Sequence, residues 1–195
     1  YEENMLKFSK ANLCLTNSSI HYLSIKYPEI RKDKYFKIRT GVDEKKFNHL
    51  IKEPNLDELI FCYLGTTDGA YDLEISLNIY LKFKRHWKNS KIKIITKDNT
   101  DKIMSIINKL NINYNDYEII DLNSDDVSSV LSKIDIGLFF LKENLSIIAS
   151  FPTKIAEFFI LNKPIICNNF NKDISEILSS DMGMIIKSPD ELTDR

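Results

Sequence analysis

The residues Ser150-Phe151-Pro152-Thr153-Lys154-Ile155-Ala156-Glu157 decide how the rest of the chain is read. They follow an apolar run, Ile134 to Leu141, and a polar loop, Lys142 to Ala149. Ser150 is positioned to cap a helix, because its hydroxyl can accept from a backbone N–H two or three residues on. Pro152 falls in the first turn, where a missing N–H costs nothing. Ile155, Ala156, Phe159 and Ile160 then recur at helical spacing. A helix opened this way after a strand points unpaired N–H groups and a partial positive charge out of the carboxyl edge of a sheet, which suits a phosphate. Lys154 adds a full charge there. Glu157, one turn after Thr153, sets a carboxylate on the same side within reach of sugar hydroxyls. The spacing alone fits equally an ordinary capped helix with a surface lysine and glutamate.

Working outward, apolar runs of strand length alternate with helical patterns from Leu59 onward. The strands expected are Leu59 to Leu64, Lys91 to Thr96, Tyr117 to Asp121, Ile134 to Leu141, Lys163 to Cys167 and Met184 to Lys187. A long helix is expected over Tyr71 to Lys88, with an apolar stripe of Ile75, Ile79, Phe83 and Trp87. Another, capped by Asn99 or Thr100, runs to Leu110. A short one is capped by Ser124, with Asp125 and Asp126 in its first turn. Asp173-Ile174-Ser175-Glu176 has the form of a capping box for a last helix. Strands buried on both faces and separated by helices predict an α/β fold, a Rossmann-like parallel sheet with helices on both faces. In such sheets ligands bind beyond the carboxyl ends of the strands, where strand order reverses. The loop from Gly65 to Tyr71 has two glycines and two threonines, so its backbone can come close to a ligand.

Residues 1–40 read differently. A helix tail over Glu2 to Lys10 leads to a short strand over Asn12 to Thr16. A helix capped by Asn17 or Ser18 follows, with Ile20, Leu23 and Ile25 apolar, and Pro28 stops it. A short strand spans Tyr35 to Ile38. These elements have no evident core of their own and read as the end of a domain that begins elsewhere. The chain opens on Tyr1, so a piece of a longer protein is expected.

Composition narrows the function classes. Of the 195 residues, 43% are hydrophobic and 28% charged, as in a soluble globular protein. A net charge of −1 gives no reason to expect nucleic acid as partner. No apolar run nears the ~20 residues that span a bilayer, and no signal peptide is visible. Cys14, Cys62 and Cys167 each fall within an expected strand and lack metal-ligand spacing, which points to free thiols in a reducing compartment. His21, His49 and His86 are scattered without partners at ligand spacing. The absence of G-x-G-x-x-G argues against a dinucleotide-dependent dehydrogenase. Lys82, Lys84, Arg85 and Lys88 form a solvated helix face or a patch for a membrane surface.

Several segments together resemble one family. SFPTKIAEFFILNKPIICN, from Ser150 to Asn168, resembles the S-x-P-T-K-x-x-E segment and following strand of nucleotide-sugar-dependent glycosyltransferases of the GT-B type, the group 1 glycosyl transferase family. The likeness is strongest to the bacterial branch of capsular and surface polysaccharide synthesis. YLGTTDGAYD, from Tyr63 to Asp72, is similar to that branch's Y-x-G-S-x-x-x-x-Y-D turn. SKIDIGL, from Ser132 to Leu138, is similar to S-x-A-D-I-G. ANLCLTNS, from Ala11 to Ser18, resembles A-D-x-V-x-x-x-S at the end of the amino-terminal domain. IRTGVDEKKF, from Ile38 to Phe47, resembles the segment linking the two domains.

The resemblance implies a division of the chain. Residues 1–40 would close an incomplete acceptor domain, and residues 41–195 would form a nucleotide-sugar domain cut short at its carboxyl end. It also implies a site: Gly65, Thr66 and Thr67 in the turn facing the phosphates, Thr96 near the base, Ser150, Thr153 and Lys154 at the diphosphate, and Glu157 on the ribose. Glu157 matches the second glutamate of the family's E-x7-E motif. The first falls on Ala149, so the motif is broken, and the Arg and Lys that many relatives have after the glycine turn do not occur in Thr66 to Tyr71. Lys154 is the residue available to compensate. The implied reaction is transfer of a sugar from a UDP- or GDP-sugar to a glycan or lipid-linked acceptor, with no cofactor and no metal. The implied location is the cytoplasm, at the inner face of the membrane if the acceptor is lipid-borne. A sugar-nucleotide epimerase of the same architecture and a non-catalytic binding or assembly domain are the alternatives.

Overall fold

A computed structural model describes residues 1–47, 57–67, 69–122, 126–142 and 144–192. The chain begins with α1 (Glu2–Phe8), β1 (Asn12–Cys14), α2 (Asn17–Lys26) and β2 (Tyr35–Lys37). It continues through β3 (Leu59–Leu64), α3 (Leu73–His86), β4 (Ser90–Ile95), α4 (Thr100–Lys109) and β5 (Tyr117–Ile120). Then come α5 (Val127–Leu131), β6 (Ile136–Phe139), α6 (Leu145–Ile148), α7 (Thr153–Ile160), β7 (Ile165–Cys167) and β8 (Gly183–Ile185).

β3 to β8 form one sheet in the order β5-β4-β3-β6-β7-β8, and every neighbouring pair is parallel. The chain winds outward from β3 to β5, then returns to the far side of β3 and winds the other way. Side chains alternate across each strand, so the central strands feed two cores. Phe61 and Tyr63 of β3 pack with Leu77 and Tyr80 of α3 and Ile103 and Ile107 of α4. Cys62 and Leu64 pack on the opposite face with Leu131 of α5 and Ile155 and Phe158 of α7. The end of β6 and the residues just after it divide the same way, with Leu138 and Phe140 on the first face and Phe139 and Leu141 on the second. This is the α/β, Rossmann-like arrangement predicted, with helices on both faces.

Several local expectations are corrected. α3 starts at Leu73, where the Asp72 carboxylate accepts from Ile75 N at 3.0 Å. Its buried face is Leu73, Ser76, Leu77, Ile79 and Tyr80, while Trp87 follows the last turn and is 42% exposed. Ser150 does not cap α7: Pro152 holds the N-cap position, without a side-chain cap. The reason is α6, a one-turn helix inside the segment expected as loop, capped by Asn144 and closed by Ser150 N donating to Ile147 O at 3.0 Å. Asp126 stands at the N-cap position of α5 rather than in its first turn; Ser124 and Asp125 lie outside the described residues, as do His49 and Asp68.

β1 and β2 pair in parallel as a separate sheet. Cys14, Ile30 and Tyr35 are buried beneath it with Leu6, Ile20, Leu23 and Tyr27 around them, so residues 1–40 do have a small core. α2 is capped by Thr16, not Asn17 or Ser18: Thr16 Oγ1 accepts from Ser19 N at 3.0 Å. The expected capping box at Asp173 and Glu176 is not formed. These acids instead face α2, whose first N–H groups have no partner within the helix. The fully buried Asp173 accepts from Asn17 N at 2.7 Å and from Ser18 N and Oγ, both at 3.1 Å. Glu176 accepts from Asn17 Nδ2 at 2.8 Å, Lys37 Nζ at 3.0 Å and Arg39 Nη2 at 2.8 Å.

Asp173→Ala removes a buried acceptor from two backbone amides and a hydroxyl. It is expected to lower unfolding free energy by about 3 kcal/mol, measured by urea denaturation; a loss below about 1 kcal/mol contradicts this account of the α2 terminus.

Candidate functional site

The loops that leave β3 and β6 meet at the reversal of strand order. Asp72 N donates to Phe140 O at 2.9 Å, and Lys142 N donates to Ala70 O at 2.7 Å. Between them Tyr71 and Leu141 form an antiparallel bridge. Tyr71 is pinned on both sides: its ring is edge-on to Phe139, at 5.4 Å between centroids, and it covers Gly65. A Cβ at position 65 would lie 2.9 Å from Tyr71 Cγ, so only glycine fits this close approach.

Beside this wall a cleft of about 220 Å³ opens at the carboxyl ends of β3, β4 and β5. Gly65, Thr66, Thr96, Lys97, Val127 and Lys154 are among its lining residues. Four of the residues predicted from the sequence, Gly65, Thr66, Thr96 and Lys154, are therefore brought together there. Thr67 is turned away, 4% exposed, with its N–H and its hydroxyl (2.7 Å) both donating to Asp98. Ser150 lies outside the cleft lining, its carbonyl accepting from Asn171 Nδ2 at 2.9 Å. Thr153 is exposed at the first position of α7. The first hydrogen bond of α7 runs from Ile155 N to Pro152 O, at 3.3 Å, so the N–H groups of Thr153 and Lys154 belong to its open end.

Lys154 lies over the Tyr71 ring, with Nζ 4.0 Å from the centroid. Burial holds its pKa below the usual lysine value, against the opposing pull of the Glu157 and Asp98 carboxylates. Burial likewise raises the Glu157 pKa, and the Lys154 charge offsets this only in part. The Tyr71 hydroxyl is pushed up to about 12, first by burial and then by the Glu157 charge. A cation that lines the cleft and a carboxylate three positions further along α7, which is not among the lining residues, are thus both kept partly out of water. That arrangement can grip an anion next to a hydroxylated group.

Three residues of this site were not singled out from sequence. Asp98 ties the glycine turn to the loop after β4, Tyr71 supports Lys154, and Lys142 Nζ donates to Thr67 O at 3.4 Å. Only Tyr71 left a signal, as the tyrosine of the Tyr-Asp pair closing the YLGTTDGAYD segment. Ala149 faces elsewhere: it lines a separate hollow of about 200 Å³ with Ser19, Tyr22 and Leu23 of α2. In the basic cluster of α3, Lys82 pairs with Asp190 at 3.6 Å and Lys84 with Asp116 at 2.8 Å. Among the described residues no cluster of His, Cys, Asp or Glu could hold a metal ion, and no helix is long and apolar enough to cross a membrane.

No family model matches this sequence, and no curated protein does. Solved structures do match. A glycosyltransferase from Rickettsia africae superposes with a TM-score of 0.74 at 17% identity, over 95% of this chain and 52% of that one. WaaG, a glycosyltransferase involved in lipopolysaccharide biosynthesis, gives 0.73 at 14% identity, over 96% of this chain and 54% of that one. Anabaena Alr3699/HepE, solved in complex with UDP-glucose, gives 0.69 at 10% identity, over 94% and 51%. The chain spans about half the length of each of these structures. Its neighbours are GT-B glycosyltransferases, and at these identities what it shares with them is the α/β, Rossmann-like fold.

Because folding raises the Glu157 pKa, the ionised carboxylate costs stability above its folded pKa, and the cost vanishes below the ordinary value of 4.5. Glu157→Gln is therefore expected to raise the thermal midpoint at pH 7 to 8 by up to about 3 °C. The gain should shrink as pH falls and be absent under acid conditions. Scanning calorimetry across pH checks it, and a lower midpoint at pH 8 contradicts it.

Proposed function

We propose that this chain is the donor-binding part of a glycosyltransferase, taking a UDP- or GDP-sugar whose glycosyl group passes to a glycan or lipid-linked acceptor in surface polysaccharide synthesis. One observation carries this reading: a cleft at the carboxyl ends of β3, β4 and β5 is lined both by the glycine turn, Gly65 and Thr66, and by Lys154 from the first turn of α7. The fold shared with glycosyltransferases supports it. In this reading the diphosphate lies against Gly65, Thr66 and the N–H groups of Thr153 and Lys154. The Lys154 ammonium moves from the Tyr71 ring onto the phosphate oxygens. Glu157 accepts from the ribose hydroxyls, and the base lies toward Thr96. Thr67 and Ser150 act indirectly, through the loops they hold.

The chemistry of these groups is electrostatic. As the bond from the sugar's anomeric carbon to the diphosphate breaks and the acceptor oxygen takes its place, negative charge gathers on the leaving diphosphate. The end of α7 and Lys154 stabilise that charge. Residues 41–195 form the nucleotide-sugar domain in this proposal, and residues 1–40 close a domain that binds the acceptor and carries the catalytic groups. A lipid-linked acceptor would bring the protein to the inner face of the membrane, where Arg85 and Lys88 are the exposed members of the α3 basic cluster. A second reading, a nucleotide-sugar-binding domain without turnover, is favoured by Ala149, which stands at the family's first glutamate position and lines a different hollow.

UDP or GDP at 100 times its dissociation constant is expected to add about 2.7 kcal/mol of stability, seen as a thermal shift. Lys154→Ala should weaken binding more than tenfold by calorimetry, as loss of a charged hydrogen bond costs about 1.5–3 kcal/mol. Unchanged affinity in Lys154→Ala removes this lysine from the site.

A further inference from the structure

The segment that leads into α7 is held mostly from outside itself. Phe151 O accepts from Thr40 Oγ1 at 2.6 Å. The Phe151 ring, 4% exposed, has the Arg39 guanidinium 5.3 Å from its centroid. Ile148 O accepts from Thr16 Oγ1 at 2.7 Å, and Ser150 O accepts from Asn171 Nδ2 at 2.9 Å. Three of these four holds come from the first forty residues, more than a hundred positions away in sequence. The same residues are anchored to the segment after β7: Arg39 Nη2 donates to Glu176 at 2.8 Å, and Asp173 receives the first amides of α2.

α7 itself supplies no side-chain cap, and Pro152 supplies no N–H. Ile155 and Phe158 hold the body of α7 in the core, and the path of the chain into its open end is set by the residues that fix Phe151, one position before the N-cap. We infer that Thr40 and Arg39 are positioning residues for the nucleotide diphosphate: the first forty residues aim the mouth of α7 at the cleft. This inference rests on the donor-site reading above. It gives the amino-terminal segment a part in binding the donor, in addition to any part in binding the acceptor. The arrangement also couples the two units. Whatever displaces residues 37–40 relative to the large sheet displaces Phe151, and with it the groups around the diphosphate.

The test measures affinity for UDP and for GDP by calorimetry on the full chain, alongside amide NMR spectra without nucleotide. Thr40→Val, which keeps the shape and removes the donor, is expected to weaken binding about fivefold, the factor carried by one neutral hydrogen bond. Thr40→Ser should restore wild-type affinity. In Thr40→Val the Thr153 and Lys154 amide resonances should move while those of β4 and α4 stay in place, which a general loss of stability would not produce. If Thr40→Val fails to fold, Arg39→Met, which keeps the stem and loses the charge over Phe151, is read by the same measurements with the same expectation. Wild-type affinity in Thr40→Val, or in Arg39→Met where that variant is used, overturns the inference and leaves the donor-site reading intact. A wild-type chain that binds neither nucleotide removes the donor-site reading and this inference with it.

Discussion

The pairing of β3 with β6 is the constraint on which the rest depends. Phe61 lies beside Ile136 and Tyr63 beside Leu138, on strands that are far apart in sequence with β4, β5, α3, α4 and α5 between them. Once they are neighbours, the loops leaving their carboxyl ends lie side by side and bond to each other, although one leads to a helix on one face and the other to helices on the opposite face. The cleft opens beside them, at the carboxyl ends of β3, β4 and β5. The Tyr71–Leu141 bridge then turns two loops into one wall. A wall made of backbone hydrogen bonds and one fixed aromatic ring can hold a mobile ammonium at a set distance. A free loop cannot.

That wall also explains the charges. Lys154 and Glu157 are both held partly out of water, and for each burial is the largest influence on its pKa. A pair selected only for stability would be arranged so that mutual attraction outweighed desolvation. Here it does not, and Lys154 borders the open cleft. In the donor-site reading proposed above, that local cost is what the ligand's arrival would offset. The Asp98 carboxylate is different. It is committed to the Thr67 amide and hydroxyl, which makes it a brace for the glycine turn.

Much of the fold was readable in the sequence because its strands are buried on both faces. Leu59 to Leu64 is apolar at every position, and the structure gives those same bounds to β3. The helix beginning near Pro152 was readable from proline chemistry and apolar spacing; the nearness of Lys154 to the glycine turn was legible only through the family resemblance. What could not be read involved distant partners or very short elements. α6 is only four residues long, too short for periodicity to register. Asp173-Ile174-Ser175-Glu176 has the local form of a capping box, yet its carboxylates serve a helix more than 150 positions earlier, and nothing local records that. Trp87 continues the α3 stripe in sequence but falls just beyond the last turn, where the helical face no longer applies. Residues 1–40 looked coreless because their small core is built from Cys14, Ile30 and Tyr35, which share no period.

The central claim is that a nucleoside diphosphate occupies the space between the glycine turn and the open end of α7. Titrating UDP-glucose and GDP-mannose into isotope-labelled protein and following the backbone amides tests it directly. The account predicts that one of the two shifts the amides of Gly65, Thr66, Thr96, Thr153 and Lys154 together, with a single affinity. Saturable shifts confined to another surface, such as the hollow beside Ala149, or no shifts at millimolar nucleotide sugar, would contradict it.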